Sequence, residues 1–157
     1  MTKNAFHLYL PESRTTSVVF ASPHSGRLYP AEFLNASILD ERLIRTSEDA
    51  FVDLLLEQVT AFGAPLLTAT APRAYVDLNR AADELDPAVV EGVAVFAHNP
   101  RINSGLGVIP RVVAGGRAIY HGKIPITEAR QRLSLWWHPY HDCLQTLLEE
   151  SRRQFGQ

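Results

Sequence analysis

The stretch from Ser17 to Thr70 constrains the fold of this chain more than any other. Ser17-Val18-Val19-Phe20-Ala21 is a short β-branched and aromatic run closed by Ser22-Pro23, which reads as a buried strand ending just before His24. From Thr46 to Phe62 the apolar residues Phe51, Leu54, Leu55, Val59 and Phe62 recur at helical spacing, and Thr46 followed by Asp49 resembles a capping pair. Gly63 supplies a C-terminal stop, and Pro65 to Thr70 reads as a second strand. A strand, a crossover helix and a strand imply a parallel pair in a right-handed βαβ unit. Ligands of such α/β sheets bind beyond the carboxyl edges of the strands, which is where His24 would stand.

The rest of the chain fills out one α/β domain over residues 1–157, a mixed, largely parallel sheet flanked by helices. Ala74-Tyr75-Val76-Asp77-Leu78 is a second short extended run, and Arg80 to Pro87 is polar and turn-like. The glycine-rich region from Gly92 to Gly122 predicts a long loop carrying one or two short strands or a hairpin around Ala114-Gly115-Gly116-Arg117. Thr127 to Arg153 is amphipathic, and Pro139 either kinks one helix or starts a second at its first turn. A hydrophobic content of 46% is enough for a real core. The formal charge of -2 gives no basic field of the kind that draws nucleic acid or an anionic membrane, so neither is an expected partner. No run reaches the roughly 18 apolar residues of a membrane span. Cys143 alone can form no intrachain disulfide, which fits a reducing cytoplasm, and nothing in the sequence indicates an oligomeric state.

Three groups of residues could do chemistry. His24, in Pro23-His24-Ser25-Gly26, is either a loop hydrogen-bonder or a metal ligand or general base, and Gly26 would let the backbone approach closely. Glu48 and Asp49 serve either as cap and dipole partners of the expected helix or as carboxylates joining His24 on a metal; zinc sites combine such donors and keep a position open for water. Arg73, Asp77, Asn79 and Arg80 form the densest polar cluster. Arginine's planar fork matches a carboxylate and asparagine adds a neutral donor, with Asp77 orienting an arginine; the alternative is a surface network such as Arg80 with Asp83 or Glu84. Arg111, Tyr120, His121, His138 and His141 are weaker candidates, and Cys143 looks structural.

Ser22-Pro23-His24-Ser25-Gly26, the segment Ser47 to Asp53, the segment Pro72 to Arg80, the segment Gly105 to Arg111 and Pro139-Tyr140-His141 occur in this order over nearly the whole chain. Together they resemble the N-formylglutamate amidohydrolases. The resemblance implies a zinc-dependent exopeptidase-like fold and hydrolysis of N-formyl-L-glutamate to formate and L-glutamate, a step of histidine degradation. It implies His24 with Glu48 or Asp49 at a divalent metal, and Asn79 and Arg80 as the clamp for the substrate's carboxylate; Arg111, from its place in the glycine-rich region, would reach a second carboxylate. Family members continue beyond the Phe155-Gly156 region, so the expectation is a chain truncated at its C-terminus that lacks a further metal ligand, for which His98, His121, His138 or His141 would have to substitute. The alternative is a catalytically incomplete module that binds an acidic metabolite through Asn79 and Arg80.

Overall fold

A computed structural model describes residues 4–94 and 99–156. Its centre is a three-stranded sheet of β1 (Phe6–Tyr9), β2 (Phe20–Ser22) and β3 (Leu66–Ala69), in the order β1-β3-β2. β2 pairs parallel with β3, with Phe20 opposite Leu66 and Ser22 opposite Thr68, whereas β1 pairs antiparallel with β3. The sheet is therefore mixed, with one parallel and one antiparallel pair, and not largely parallel. β2 is shorter and less buried than the strand expected over Ser17–Ala21, with Phe20 half-buried and Ala21 exposed, but it ends at Ser22, so His24 does stand just past a strand's carboxyl edge.

The crossover between β2 and β3 departs from the expected helix over Thr46 to Phe62. It consists of α1 (Ala31–Ala36), α2 (Glu41–Ile44), a 3-10 turn over Arg45–Ser47, the single turn α3 (Val52–Leu55) and a 3-10 segment over Glu57–Phe62. Two features break the periodic run. The Asp49 backbone N–H donates to the His24 carbonyl at 3.0 Å, which holds Glu48 extended, and Phe51 is left-handed at φ 65°. A tertiary hydrogen bond thus overrides a local pattern. The supposed apolar face does not reach the core: Phe51 and Leu54 are exposed, and Leu55 and Phe62 are 79% and 77% exposed. Thr46 caps nothing at this point, because its hydroxyl donates back to the Leu43 carbonyl. Gly63 does close the segment in the left-handed conformation, at φ 78°.

Ala74 to Leu78 is also not a strand. Tyr75 N–H donates to the Pro72 carbonyl and Asp77 N–H to the Val108 carbonyl, so the segment coils into a turn, although Val76 and Leu78 are buried as a strand's inner residues would be. After α4 (Pro100–Asn103), β4 (Val112–Val113) and β5 (Arg117–Ala118) form the expected hairpin. Residues 126–155 form one helical rod: α5 (Ile126–Arg132), a π-helical turn over Leu133–Trp137, and α6 (His138–Phe155), with Pro139 in the first turn of α6 directly after the π-helical turn. The core lies between this rod, β3 and the 72–78 turn, and contains Leu67, Phe33, Val76, Ile109, Trp136 and Tyr140. Arg132 is buried in it, with its guanidinium 4.2 Å from the Tyr75 ring centroid and flanked by Phe33 and Tyr120. Among the described residues no helix is long and apolar enough to cross a membrane.

Candidate active site

The segment after β2 can turn under the sheet because Gly26 has no side chain: a Cβ there would lie 2.0 Å from the Ala71 carbonyl oxygen. That close approach brings His24 against the 72–78 turn. The Asp77 carboxylate meets His24 Nε2 at 2.7 Å, and both side chains are buried. On the other side of the ring, His24 Nδ1 faces Asp49 Oδ2 at 3.4 Å. The imidazole therefore bridges two carboxylates, one buried and one half-exposed.

Asp77 is the hub of this arrangement. Its Oδ2 accepts from Arg73 Nε at 3.0 Å, and its Oδ1 also accepts from the Asn79 backbone N–H at 2.9 Å. Burial alone would push the Asp77 carboxyl up; the hydrogen bond and charge of His24, the Arg73 guanidinium and the Asn79 amide outweigh it and hold the group below its ordinary value. An ionised Asp77 fixes the His24 ring and leaves Nδ1 as the nitrogen turned toward Asp49.

The two adjacent carboxylates that the sequence left equivalent have different surroundings. Glu48 is clamped: the Tyr29 hydroxyl donates to its Oε1 at 2.6 Å, and Arg45 pairs with it at 3.3 Å. Burial and the Glu48 carboxylate raise the Tyr29 hydroxyl pKa, so Tyr29 stays a donor. Asp49 has His24 as its neighbour instead. Tyr29 gives no local sequence signal for this role, since it lies 19 residues from Glu48; the Arg45 to Glu48 spacing of three is the one trace that sequence carries.

Glu48, Asp49, Arg73 and Asp77 line a cleft of about 470 Å³ together with Leu106, Pro110 and the β4–β5 hairpin, whereas His24, buried between Asp49 and Asp77, is not among its lining residues. The hairpin is tied to the carboxylate segment by Ala114 N–H donating to Ser47 Oγ at 3.1 Å. The remaining expected residues stand elsewhere. Asn79 and Arg80 do not line this cleft, because the coiled turn carries them toward the helical rod, where the Arg80 carbonyl accepts from Trp137 Nε1 at 2.8 Å. Arg111 is spent on Asp86, at 3.0 Å, and on the Asn103 carbonyl. The arginine beside the His24 pair is Arg73.

The donor types at His24 Nδ1 and Asp49, an imidazole nitrogen and a carboxylate oxygen, fit a divalent cation of the zinc kind. Among the described residues no three His, Cys, Asp or Glu side chains converge as a complete cation site. His121, His138 and His141 thus do not complete it, and His98 lies outside the described residues.

The family model for N-formylglutamate amidohydrolase matches residues 16–157. The N-formylglutamate deformylase of Pseudomonas aeruginosa is 29% identical over 143 residues, covering 88% of this chain and 48% of the relative, and that of Pseudomonas putida is 26% identical over 141 residues with the same coverage. The crystal structure of N-formylglutamate amidohydrolase from Ralstonia eutropha JMP134 superposes with a TM-score of 0.89 at 36% identity, over 98% of this chain and 55% of that one. The chain spans about half the length of the curated relatives it matches. With its parallel β2/β3 pair, its His24 at the strand edge and a match through nearly every element, this chain belongs to the N-formylglutamate amidohydrolase family.

Proposed function

We propose that this chain carries the His24 side of a metal-assisted active site that hydrolyses N-formyl-L-glutamate to formate and L-glutamate, on a zinc-exopeptidase-like scaffold. The observation that supports it most directly is the orientation of His24, whose Nε2 is held by Asp77 and whose Nδ1 faces Asp49 on a cleft of substrate size. A divalent cation, zinc by donor chemistry, would be held by His24 Nδ1 and Asp49, and would polarise the formyl carbonyl and acidify a water. Asp77 keeps the imidazole in one tautomer. Glu48, fixed by Tyr29 and Arg45, is the remaining cleft carboxylate, and accepts the proton of the attacking water before passing it to the departing amine. Arg73 spends Nε on Asp77 and presents its terminal nitrogens to a substrate carboxylate. This assigns to Arg73 the role expected of Asn79, Arg80 and Arg111.

We place this hydrolysis in cytoplasmic histidine degradation, with a small acidic N-formyl amino acid as partner. Formate release from N-formyl-L-glutamate, measured with added zinc and after chelation, tests the reading. Release that depends on metal and is abolished in His24→Ala is the expected result; no release and no retained metal overturn it.

A further inference from the structure

The turn that carries Arg73 and Asp77 is held in place by one helical rod, and the hold depends on a π-helical turn. Three side chains on the rod each donate to a main-chain carbonyl of that turn: Arg132 Nη1 to Tyr75 at 3.1 Å, His141 Nε2 to Leu78 at 2.9 Å, and Trp137 Nε1 to Arg80 at 2.8 Å. Such carbonyls, on a coiled segment outside any sheet ladder, are destabilising if buried without a donor. The spacing of the donors is not that of a regular helix face. At 100° per residue, positions 137 and 141 would stand about 140° and 180° around the axis from 132, but absorbing one residue in the π turn reduces these offsets to about 40° and 80°. The π turn lies over Leu133–Trp137, between the first donor and the other two.

The two aromatic donors also fix each other. The Trp137 ring stacks on His141 with centroids 3.9 Å apart and planes 27° apart, so neither ring can turn without moving the other. Because a carbonyl only accepts, His141 must carry its proton on Nε2. Neither residue lines the cleft beside His24.

We propose that Trp137 and His141 are positioning residues for the active site: acting through the Leu78 and Arg80 carbonyls, they hold the turn so that Asp77 meets His24 Nε2. This deepens the reading of His24 given above and rests on it for its functional meaning, while its geometry can be measured without turnover. Proton NMR of the imidazole N–H region, with amide hydrogen exchange at Asn79 and Arg80, reads the Asp77 contacts directly in the whole chain. In Trp137→Phe and His141→Ala, the His24 Nε2–H resonance is expected to shift or broaden away, and the Asn79 amide to exchange about two- to tenfold faster. His141→Gln, which keeps an N–H donor, is expected to recover part of both effects. Leu148→Ala, an exposed position on the same helix, serves as the control for general loosening. A His24 resonance and an Asn79 exchange rate unchanged in both donor variants would overturn the proposal, as would equal changes in Leu148→Ala. Formate release run alongside separates the two readings: wild-type protein without turnover counts against the proposed function, whereas variants with an intact His24 signature count against this positioning role.

Discussion

His24 and Asp77 are 53 residues apart in sequence and 2.7 Å apart in space, and theirs is the contact from which the rest of the site is oriented. It joins the loop after β2 to the turn after β3, so the parallel pairing of those strands is what makes the contact possible. The Asp77 carboxylate takes one ring nitrogen, and the other faces Asp49, which lines the cleft.

Replacing Asp77 with Asn keeps the shape but removes the charge that orients the imidazole and pairs with Arg73. If His24 holds the cation through Nδ1, zinc affinity of Asp77→Asn is expected to fall about 10–100-fold, the usual consequence of losing a carboxylate behind a ligating histidine. Competition against a chromophoric chelator measures it, and an affinity equal to wild type would show that Asp77 does not serve His24 in this way.

Asp77 also makes the fold sensitive to acid. Its carboxyl sits below the ordinary value in the folded protein, despite the opposing effect of burial, because His24, Arg73 and the Asn79 amide favour the charged form. A depressed folded pKa contributes stability that is present above the unfolded value of about 3.9 and is lost as pH falls through the lower folded value. Thermal melts are expected to show wild type losing its advantage over Asp77→Asn below about pH 4. A difference between the two proteins that stays constant across that window would contradict the linkage.

What could be read from residue order was local or ladder-like. The strand before His24, the stop at Gly63, the hairpin at 112–118 and the amphipathic rod all depend on periodicity or turn chemistry, and all four are present. The helix over Thr46 to Phe62 fails because one hydrogen bond from Asp49 to the His24 carbonyl outranks an apolar repeat. The same bond brings Asp49 beside His24, so the local pattern fails at the candidate site. The Arg73 to Arg80 cluster was visible as composition, but its division was not: whether each side chain faces the cleft or the rod depends on the coil between Pro72 and Leu78, which a strand pattern in the sequence disguises. Tyr29 and Trp137 act on partners 19 and 57 residues away, which no motif of short range encodes.

Gly26 is the steric gate for the His24 loop. An alanine there would put its Cβ 2.0 Å from a backbone oxygen, and a main-chain neighbour cannot rotate away as a side chain can. Gly26→Ala is expected to cost about 1–3 kcal/mol, the range for forcing volume into a packed site. In a domain of this size each kcal/mol lowers Tm by about 2–4 °C, so calorimetry resolves the effect. An unchanged Tm would mean that the loop stands off Ala71 in solution.

Glu48 and Asp49 are adjacent, yet their surroundings assign them different tasks, and isosteric amides can separate these. Asp49→Asn removes the carboxylate that faces His24 Nδ1, and is expected to weaken metal retention and turnover together. Glu48→Gln keeps a group that can still accept from Tyr29 but can no longer take a proton, so it is expected to retain metal at the wild-type ratio while formate release drops about 10²- to 10⁴-fold, the contribution of a positioned general base. Metal content by atomic emission and initial rates on the same preparations give both values. If Glu48→Gln loses the metal and Asp49→Asn keeps it, the ligand and the base must be exchanged, and the Tyr29–Glu48 hydrogen bond becomes the support of a ligand instead of a base.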